Sequence, residues 1–336
     1  MDKYIIAYAY GEGIYNINEE DARKLTHINI AFGTLDKNGL LSREGLQHMD
    51  AVGQIREWNP NIKIVLSVGG WGAGGFSTMA KTLNGRRAFA NSCLSFIDEY
   101  KLDGLDIDWE YPGIDWAGID ASGEDKNNFT LLMKELRKNV GNDRILSIAA
   151  GAEQYYLDNT QMDIVAQICD YVQIMTYDMR GDGYPTTGHH TALYAGANDT
   201  TKKSVHDSVH NFMKAGVPAG KIVIGAAFYA RMWKGVEGND NRADGLMMSA
   251  KECGFYGASY TQLVNEYIDK NGFVSHRDET ARAPYLFDGE TFISYDDPKS
   301  IAEKCQYIKD NDLLGIMYWE HGLDETHTLI KSIDFR

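Results

Sequence analysis

The chain has 336 residues, of which 43% are hydrophobic, and it contains 34 glycines but only 6 prolines. This size and composition are typical of one large globular domain or of a domain that carries a sizeable insertion. The formal net charge of -15 argues against nucleic acid and against an anionic membrane surface as partners, because both select basic patches. A neutral or cationic ligand is expected instead.

Eight short apolar runs alternate with longer amphipathic segments along the chain. This alternation indicates repeated strand–helix units with a parallel sheet, and eight units predict an α/β fold of the closed (β/α)8 type, a TIM barrel. The predicted strands are residues 4–10, 26–32, 62–68, 102–108, 144–150, 171–176, 222–228 and 313–319. The predicted helices are residues 44–58, 84–100, 124–139, 158–168, 202–215 and 298–310.

The regular spacing breaks once, between the seventh and the eighth predicted strands. The segment that intervenes is far longer than one helix or an ordinary loop. It combines a helical piece at 260–270 with strand-like pieces at 272–276, 284–287 and 291–295. We therefore predict a barrel formed by residues 1–232 and 296–336, with a small α+β insertion domain at residues 233–295.

Three carboxylates occupy every second position at the end of the fourth predicted strand: Asp106, Asp108 and Glu110. Side chains alternate between the two faces of a strand, so these three share one face while apolar residues take the other. Clustered like charges destabilise a fold, which makes a merely solvated face a poor explanation. We interpret the group as a catalytic device, with a magnesium or calcium site as the alternative.

Other candidate residues follow the remaining predicted strands. In barrels of this kind the chemistry lies at the C-terminal ends of the strands, so these residues are expected to share one rim with the carboxylates. For Tyr8 and Phe32, at the ends of predicted strands 1 and 2, packing inside the barrel is an equally good explanation. In chain order the candidates are Tyr8, Phe32, Gly70, Trp71, Met175, Tyr177, Asp178, Tyr229, Arg231 and Trp319.

These motifs together resemble glycoside hydrolase family 18, the retaining chitinases. The signature Asp-x-x-Asp-x-Asp-x-Glu falls on residues 103–110, Ser-x-Gly-Gly on 67–70, Met-x-Tyr-Asp on 175–178 and Tyr-Trp-Glu on 318–320. The resemblance therefore spans nearly the whole chain, and the predicted insertion is similar to the α+β domain of deep-cleft members. Ala230 departs from the pattern, because the family commonly has glycine there; we expect a slightly altered wall and unchanged chemistry.

The resemblance implies hydrolysis of β-1,4-linked N-acetylglucosamine in chitin or chito-oligosaccharides, with the substrate's own acetamido oxygen as nucleophile and an oxazolinium intermediate. Glu110 would protonate the departing oxygen and then activate water, and Asp108 would hold the acetamido N–H. Asp106 would share a proton with Asp108. Repulsion between the carboxylates would keep Glu110 protonated near neutral pH. Tyr177 would donate a hydrogen bond to the acetamido carbonyl.

The remaining sugar contacts follow from the same resemblance. Asp178 would contact the sugar in the same subsite, and Trp319 would form the apolar floor under the ring. Trp71 and Trp233 would be outer stacking platforms. No metal and no organic cofactor is expected, and the protein is expected to be a monomer. Two alternatives stay open: an endo-β-N-acetylglucosaminidase acting on glycoprotein or peptidoglycan glycans, and a non-catalytic chitin-binding lectin.

Four further expectations concern structure and location. The four cysteines are widely scattered, which predicts free thiols. Asp103 lies out of phase with the carboxylates and is expected to bind backbone near the start of its strand. His189 and His190 are expected to be a loop pair, because no third metal ligand stands at a diagnostic spacing. The N-terminal run is too short and too rich in tyrosine for a signal peptide, which predicts a cytoplasmic protein, or a secreted one if a leader has been trimmed.

Overall fold

The computed structural model describes residues 3–237 and 244–335. Its strands in chain order are β1 (Tyr4–Tyr10), β2 (His27–Leu35), β3 (Leu41–Ser42), β4 (Lys63–Gly69), β5 (Gly104–Asp108), β6 (Ile145–Gly151), β7 (Tyr171–Met175), β8 (Ile222–Ala227), β9 (Tyr229–Lys234), β10 (Glu252–Ser259), β11 (Val274–Asp278), β12 (Ala283–Phe287), β13 (Phe292–Ser294) and β14 (Gly315–Trp319).

The α-helices are on average shorter than the helices predicted from the sequence, and in two places a short helix is followed closely by a second one. They are α1 (Glu19–Lys24), α2 (Ala51–Trp58), α3 (Phe76–Ala80), α4 (Leu83–Glu99), α5 (Asp125–Val140), α6 (Gln154–Asp158), α7 (Met162–Ile168), α8 (Val205–Lys214), α9 (Tyr260–Gln262), α10 (Pro298–Asp310) and α11 (Thr328–Ser332). Short 3-10 turns lie at Gly11–Asn16, Ala219–Lys221 and His321–Leu323, and a π turn lies at Leu263–Tyr267.

Eight of the strands form a closed parallel barrel. Their order is β1, β2, β4, β5, β6, β7, β8 and β14, and the barrel closes because β1 pairs with both β2 and β14. The strands are almost entirely buried, as expected for a parallel sheet that is covered on both faces. The predicted (β/α)8 fold is confirmed; β1 has the predicted bounds, and the other seven barrel strands differ from the prediction by one to three residues at their ends.

A second sheet follows β8 in the chain. It is antiparallel, with the order β10-β9-β13-β12-β11, and it encloses a small apolar cluster of its own. Three of its strands correspond to the predicted strand-like pieces, whereas β9 and β10 are absent from the prediction. Because β9 begins at Tyr229, the sheet starts before the predicted boundary at residue 233. The limits of the insertion domain stay a prediction.

Two helix predictions are wrong in length. The segment 44–58 is helical only from Ala51. Before the helix, Gly45 packs closely on strand β2, where a Cβ would lie 2.4 Å from the carbonyl oxygen of Phe32. The segment 158–168 is split, since α6 ends at Asp158 and α7 begins at Met162. At the break the hydroxyl of Thr160 donates to the carbonyl oxygen of Tyr156, which replaces a continuing helical bond.

Three smaller expectations can be compared with the structure directly. Asp103 accepts the backbone N–H of Ile64 at 2.9 Å and pairs with Arg56 and Lys63, which confirms its backbone-binding role. All four cysteines are free, as predicted. Within the described ranges, no helix is both long enough and apolar enough to cross a membrane.

Candidate active site

Asp106 lies fully buried inside the barrel, and its carboxylate accepts four hydrogen bonds from four other strands. The hydroxyls of Tyr8 (2.8 Å) and Ser67 (2.7 Å) donate to Oδ2. The hydroxyl of Ser147 (2.7 Å) and the side-chain amide of Gln173 (2.9 Å) donate to Oδ1. Burial raises the pKa of Asp106, and these hydrogen bonds oppose the rise.

The orientation of Gln173 is itself fixed by a neighbour. Asn29 donates its amide to Oε1 of Gln173 at 3.0 Å, which directs the Gln173 NH2 group towards Asp106. Sequence reasoning missed Asn29, Ser147 and Gln173. Ser147 and Gln173 are isolated polar residues in otherwise apolar barrel strands, and Asn29 lies between two isoleucines, which was the available signal.

Asp108 follows Asp106 on the same face of β5 and is also buried, with 3% of its surface exposed. Burial raises its pKa well above the usual range, and the charges of Glu110 and Asp106 add to the rise. Its Oδ1 is buried and, among the described residues, has no hydrogen-bond partner. The predicted sharing of a proton between Asp106 and Asp108 stays a prediction.

Glu110 ends the row of carboxylates at the mouth of the barrel and is partly exposed. The pKa of Glu110 is raised to about 7, mainly by burial. The hydrogen bond with the neighbouring Tyr111 opposes the rise, and the charge of Asp178 adds to it. The expected repulsion between carboxylates is thus a smaller cause than desolvation. Below about pH 7 the side chain carries the proton that a general acid needs.

Tyr177 directs its ring into the same mouth. Its hydroxyl has only a weak contact, 3.8 Å to Sδ of Met317, and burial beside Asp108 keeps its pKa well above the usual range. The hydroxyl is therefore a protonated donor. The ring needs glycine at position 225, since a Cβ there would lie 2.8 Å from its Cε1 atom. Met175, two residues earlier, is buried beneath it.

Asp178 is held in a charged state by three neighbours. Its Oδ1 accepts the hydroxyl of Tyr229 at 2.7 Å and Nε of Arg231 at 2.6 Å, and Nδ1 of His190 lies 3.5 Å away. Burial favours the neutral carboxyl, but His190 and Arg231 hold the pKa of Asp178 well below its usual range. Tyr229 and Arg231 thus lie where predicted. His190 was predicted to be only a loop residue and belongs to this cluster.

Aromatic rings form one wall of the mouth. Phe32 and Trp319 stack with ring centroids 5.3 Å apart and planes 15° apart, and Tyr8 lies beside Trp319. Gly70 permits this packing, because a Cβ there would lie 2.6 Å from the ring of Phe32. Trp71 is 64% exposed next to the catalytic row, as an outer platform requires.

One predicted platform is wrong, and one exposed ring was missed. Trp233 is fully buried in the apolar cluster of the second sheet, packs edge-on against Phe292, and donates its indole N–H to the carbonyl of Tyr184. It cannot stack on a sugar. Trp116 is 62% exposed and packs edge-on against Tyr155 near the mouth. In the sequence, the exposure of Trp116 could have been inferred from its position in a polar segment that contains glycine.

Comparison with known proteins decides the family. The sequence model of glycosyl hydrolases family 18 matches residues 4–324. The chain belongs to this family. Among family 18 relatives, it is 32% identical to Chitinase A1 of Niallia circulans over 97% of this chain and 56% of that protein. It is 30% identical to the Endochitinase of Manduca sexta over 95% of this chain and 62% of that protein. The chain thus spans less than two thirds of these relatives.

Solved structures of family 18 proteins match the whole chain. A family 18 N-acetylglucosaminidase from Paenibacillus barengoltzii superposes with a TM-score of 0.95 at 49% identity, over 99% of both chains. Chitinase ChiW from Paenibacillus sp. superposes with a TM-score of 0.89 at 38% identity, over 99% of this chain and 42% of that one. The predicted family and barrel are confirmed.

Proposed function

We propose that the chain hydrolyses β-1,4 linkages between N-acetylglucosamine units of chitin or chito-oligosaccharides, with retention of configuration. The observation that carries the proposal is the buried, unpartnered Oδ1 of Asp108 between a protonated Glu110 and the hydroxyl of Tyr177. A buried acceptor without a donor is costly, and the N–H of a bound acetamido group supplies that donor.

In the first step Glu110 transfers its proton to the glycosidic oxygen while the bond between that oxygen and the anomeric carbon breaks. The acetamido oxygen of the same sugar bonds to the anomeric carbon, which gives a positively charged oxazolinium ring. Asp108 accepts the acetamido N–H and stabilises this charge. Tyr177 donates to the acetamido oxygen and aligns it for attack.

In the second step the carboxylate of Glu110 removes a proton from water. The water oxygen bonds to the anomeric carbon, and the bond from that carbon to the acetamido oxygen breaks. Two inversions at one carbon amount to retention. Behind this chemistry, the four donors to Asp106 fix a second carboxylate whose negative field favours the cationic intermediate.

The walls of the mouth suit a sugar chain. Pyranose rings present C–H faces that pack on aromatic rings, and the stacked Phe32 and Trp319 with the exposed Trp71 offer such surfaces. Asp178 stays ionised and offers an acceptor to a sugar hydroxyl. Every residue in this proposal comes from one chain, so we also propose that the active unit is a monomer.

A second candidate is removal of single N-acetylglucosamine residues from chain ends. It is favoured by the likeness to the Paenibacillus barengoltzii protein, whose description is N-acetylglucosaminidase. No observation favours action on glycoprotein or peptidoglycan glycans. A non-catalytic lectin is disfavoured, because the acid Glu110 is in place and its pKa suits proton transfer.

A product time course on chitin oligosaccharides of two to six units tests both candidates. Internal cleavage predicts early oligomers of intermediate length, whereas end removal predicts monosaccharide from the first time point. The variant Glu110→Gln keeps the shape of the acid without its proton, so it should bind the oligosaccharides yet turn them over about 10²–10⁴-fold more slowly. Near-normal turnover by this variant, or binding by the unaltered chain without turnover, refutes the proposal.

A further inference from the structure

A cluster of three side chains outside the catalytic mouth joins the beginning of the barrel to its end. Asp21 belongs to α1, His321 follows β14 in a 3-10 turn, and His327 immediately precedes α11. One ligand atom from each, Oδ2, Nε2 and Nδ1 respectively, lies within 4.8 Å of the other two. Residue spacing does not indicate this convergence, because about 300 residues separate the carboxylate from the imidazoles, far beyond any local metal-binding spacing.

One atom of each of the two buried members lacks a hydrogen-bond partner among the described residues. Asp21 and His321 are each 1% exposed, yet neither Oδ2 of Asp21 nor Nε2 of His321 has a hydrogen bond among the described residues. Nδ1 of His327 lies 2.6 Å from Oδ2, an ion-pair contact, and the side-chain amide of Asn18 lies 3.4 Å from the same nitrogen. Buried polar atoms are almost always satisfied, so a buried carboxylate oxygen and a buried imidazole nitrogen that converge to 3.5 Å without a hydrogen bond indicate a missing ligand.

From these contacts we infer a structural binding site for a divalent transition-metal ion of the zinc class, held by Asp21, His321 and His327. Zinc bonds to imidazole nitrogen and carboxylate oxygen at about 2.0–2.2 Å, which separates neighbouring ligand atoms of a tetrahedron by about 3.3 Å. Oδ2 of Asp21 and Nε2 of His321 are already 3.5 Å apart. His327, with 22% of its side chain exposed, is the ligand that moves outward, and its solvent side admits water as the fourth ligand.

The surroundings of His321 also suit a metal ligand. Its other ring nitrogen, Nδ1, lies 2.9 Å from the hydroxyl of the buried Tyr318. A hydrogen bond at one ring nitrogen fixes the orientation of the imidazole and leaves the opposite nitrogen for the metal. The imidazoles select zinc-class ions over calcium and magnesium, which prefer shells made of oxygen alone.

The proposed ion would connect the first and the last strand–helix units of the barrel. A bound ion would tie α1 to the segment that follows β14, and Trp319 of the catalytic wall lies two residues before His321. The ion takes no part in the proposed hydrolysis, so this inference stands independently of the proposed function.

Metal binding to the full chain, prepared without a polyhistidine tag and stripped with a chelator, tests the inference. Zinc titration followed by elemental analysis should give one zinc per chain, and saturating zinc should raise the Tm by about 3 °C or more, because an ion that binds only the folded state stabilises it. Calcium at the same concentration should leave the Tm unchanged. Cobalt in place of zinc should give the visible absorption of a four-coordinate site.

His327→Gln is the informative variant, because its partly exposed side chain can change without unfolding the chain. It should bind zinc at least about tenfold more weakly, as loss of one of three protein ligands requires, and lose the Tm shift. His210→Gln, at an exposed histidine on α8, is the matched control and should bind zinc like the unaltered chain. Zinc binding that is equal in the His327 variant, or the absence of any stoichiometric binding in the unaltered chain, overturns the inference.

Discussion

The variant Tyr8→Phe tests the role of the hydrogen-bond network around Asp106. The hydroxyl of Tyr8 is one of four donors to this buried carboxylate. A hydrogen bond to a charged group contributes about 1.5–3 kcal/mol, so its loss should lower the free energy of unfolding by that amount at pH 8. Since 1.36 kcal/mol corresponds to one pKa unit, the pKa of Asp106 should rise by about 1–2 units.

Tyr171→Phe provides the matched control. Tyr171 is as deeply buried as Tyr8 and lies on a barrel strand, but its hydroxyl is not among the four donors to Asp106. Its removal takes no hydrogen bond from the charged carboxylate, so this variant should lose no more than about 1 kcal/mol. Both substitutions remove one buried phenolic hydroxyl, but only Tyr8→Phe removes a hydrogen bond to Asp106.

Urea unfolding of both variants at pH 8 and at pH 5 measures the difference. The Tyr8 hydrogen bond favours the ionised form of Asp106 and therefore lowers its pKa. Its contribution is present where Asp106 is ionised and diminishes as the pH falls through the folded-state pKa, which burial has raised. The destabilisation by Tyr8→Phe should be smaller at pH 5. Equal losses in the two variants, or a larger Tyr8 effect at pH 5, would refute the network account.

Two further substitutions test packing and charge elsewhere in the fold. Lys304→Met removes one partner of the buried ion pair with Asp296, 2.6 Å long and 1% exposed on both sides, and should cost about 3–5 kcal/mol in urea unfolding because it leaves an uncompensated buried charge. Gly225→Ala inserts a methyl group against the ring of Tyr177 and against the backbone, and should cost about 1–3 kcal/mol and reduce kcat on a chromogenic chito-oligosaccharide. Lys299→Met and Gly53→Ala are their controls.

Both controls follow from local exposure. Lys299 lies on the same helix as Lys304, but its pair with Glu279 is solvent-exposed, so its loss should cost less than about 1 kcal/mol. Gly53 lies in α2 with no atom within 4 Å of a built Cβ, so alanine should be neutral or stabilising by up to about 1 kcal/mol. A Lys299 variant as unstable as the Lys304 variant, or normal kcat in Gly225→Ala, would contradict the contacts described.

The barrel and the central carboxylates could be predicted because they depend on local periodicity. Asp106, Asp108 and Glu110 share a face whenever their segment is a strand, and strand ends of a parallel barrel meet at one rim. The hydrogen-bond partners of Asp106 could not be predicted from periodicity. Ser147 lies opposite Asp106 on the neighbouring strand β6, and Gln173 lies one strand further on β7, so their contacts depend on the register between strands and not on periodicity within one.

The errors in the prediction also have physical causes. Trp233 was assigned to the sugar-binding surface because it follows a barrel strand, but the chain enters the second sheet at Tyr229 and the indole turns into that sheet's own core. His190 lies in a loop, as predicted, but its contact with Asp178 was missed, because it depends on a turn of the backbone in which Asp178 has a φ of 57°. Tertiary contacts of this kind leave no periodic signal in the sequence.

The pH dependence of kcat/KM tests the central claim, that Glu110 is the acid and has a pKa raised to about 7. The assay compares two aryl glycosides of N-acetylglucosamine oligomers, one with a leaving group that needs a proton and one with a leaving group acidic enough to depart without it. For the first, kcat/KM should fall about tenfold per pH unit above about pH 7, since the free enzyme loses the required proton. For the second, that decline should be absent. A rate that stays level to pH 9 with the first substrate, or an equal decline with both, would contradict the assignment of Glu110 as the acid.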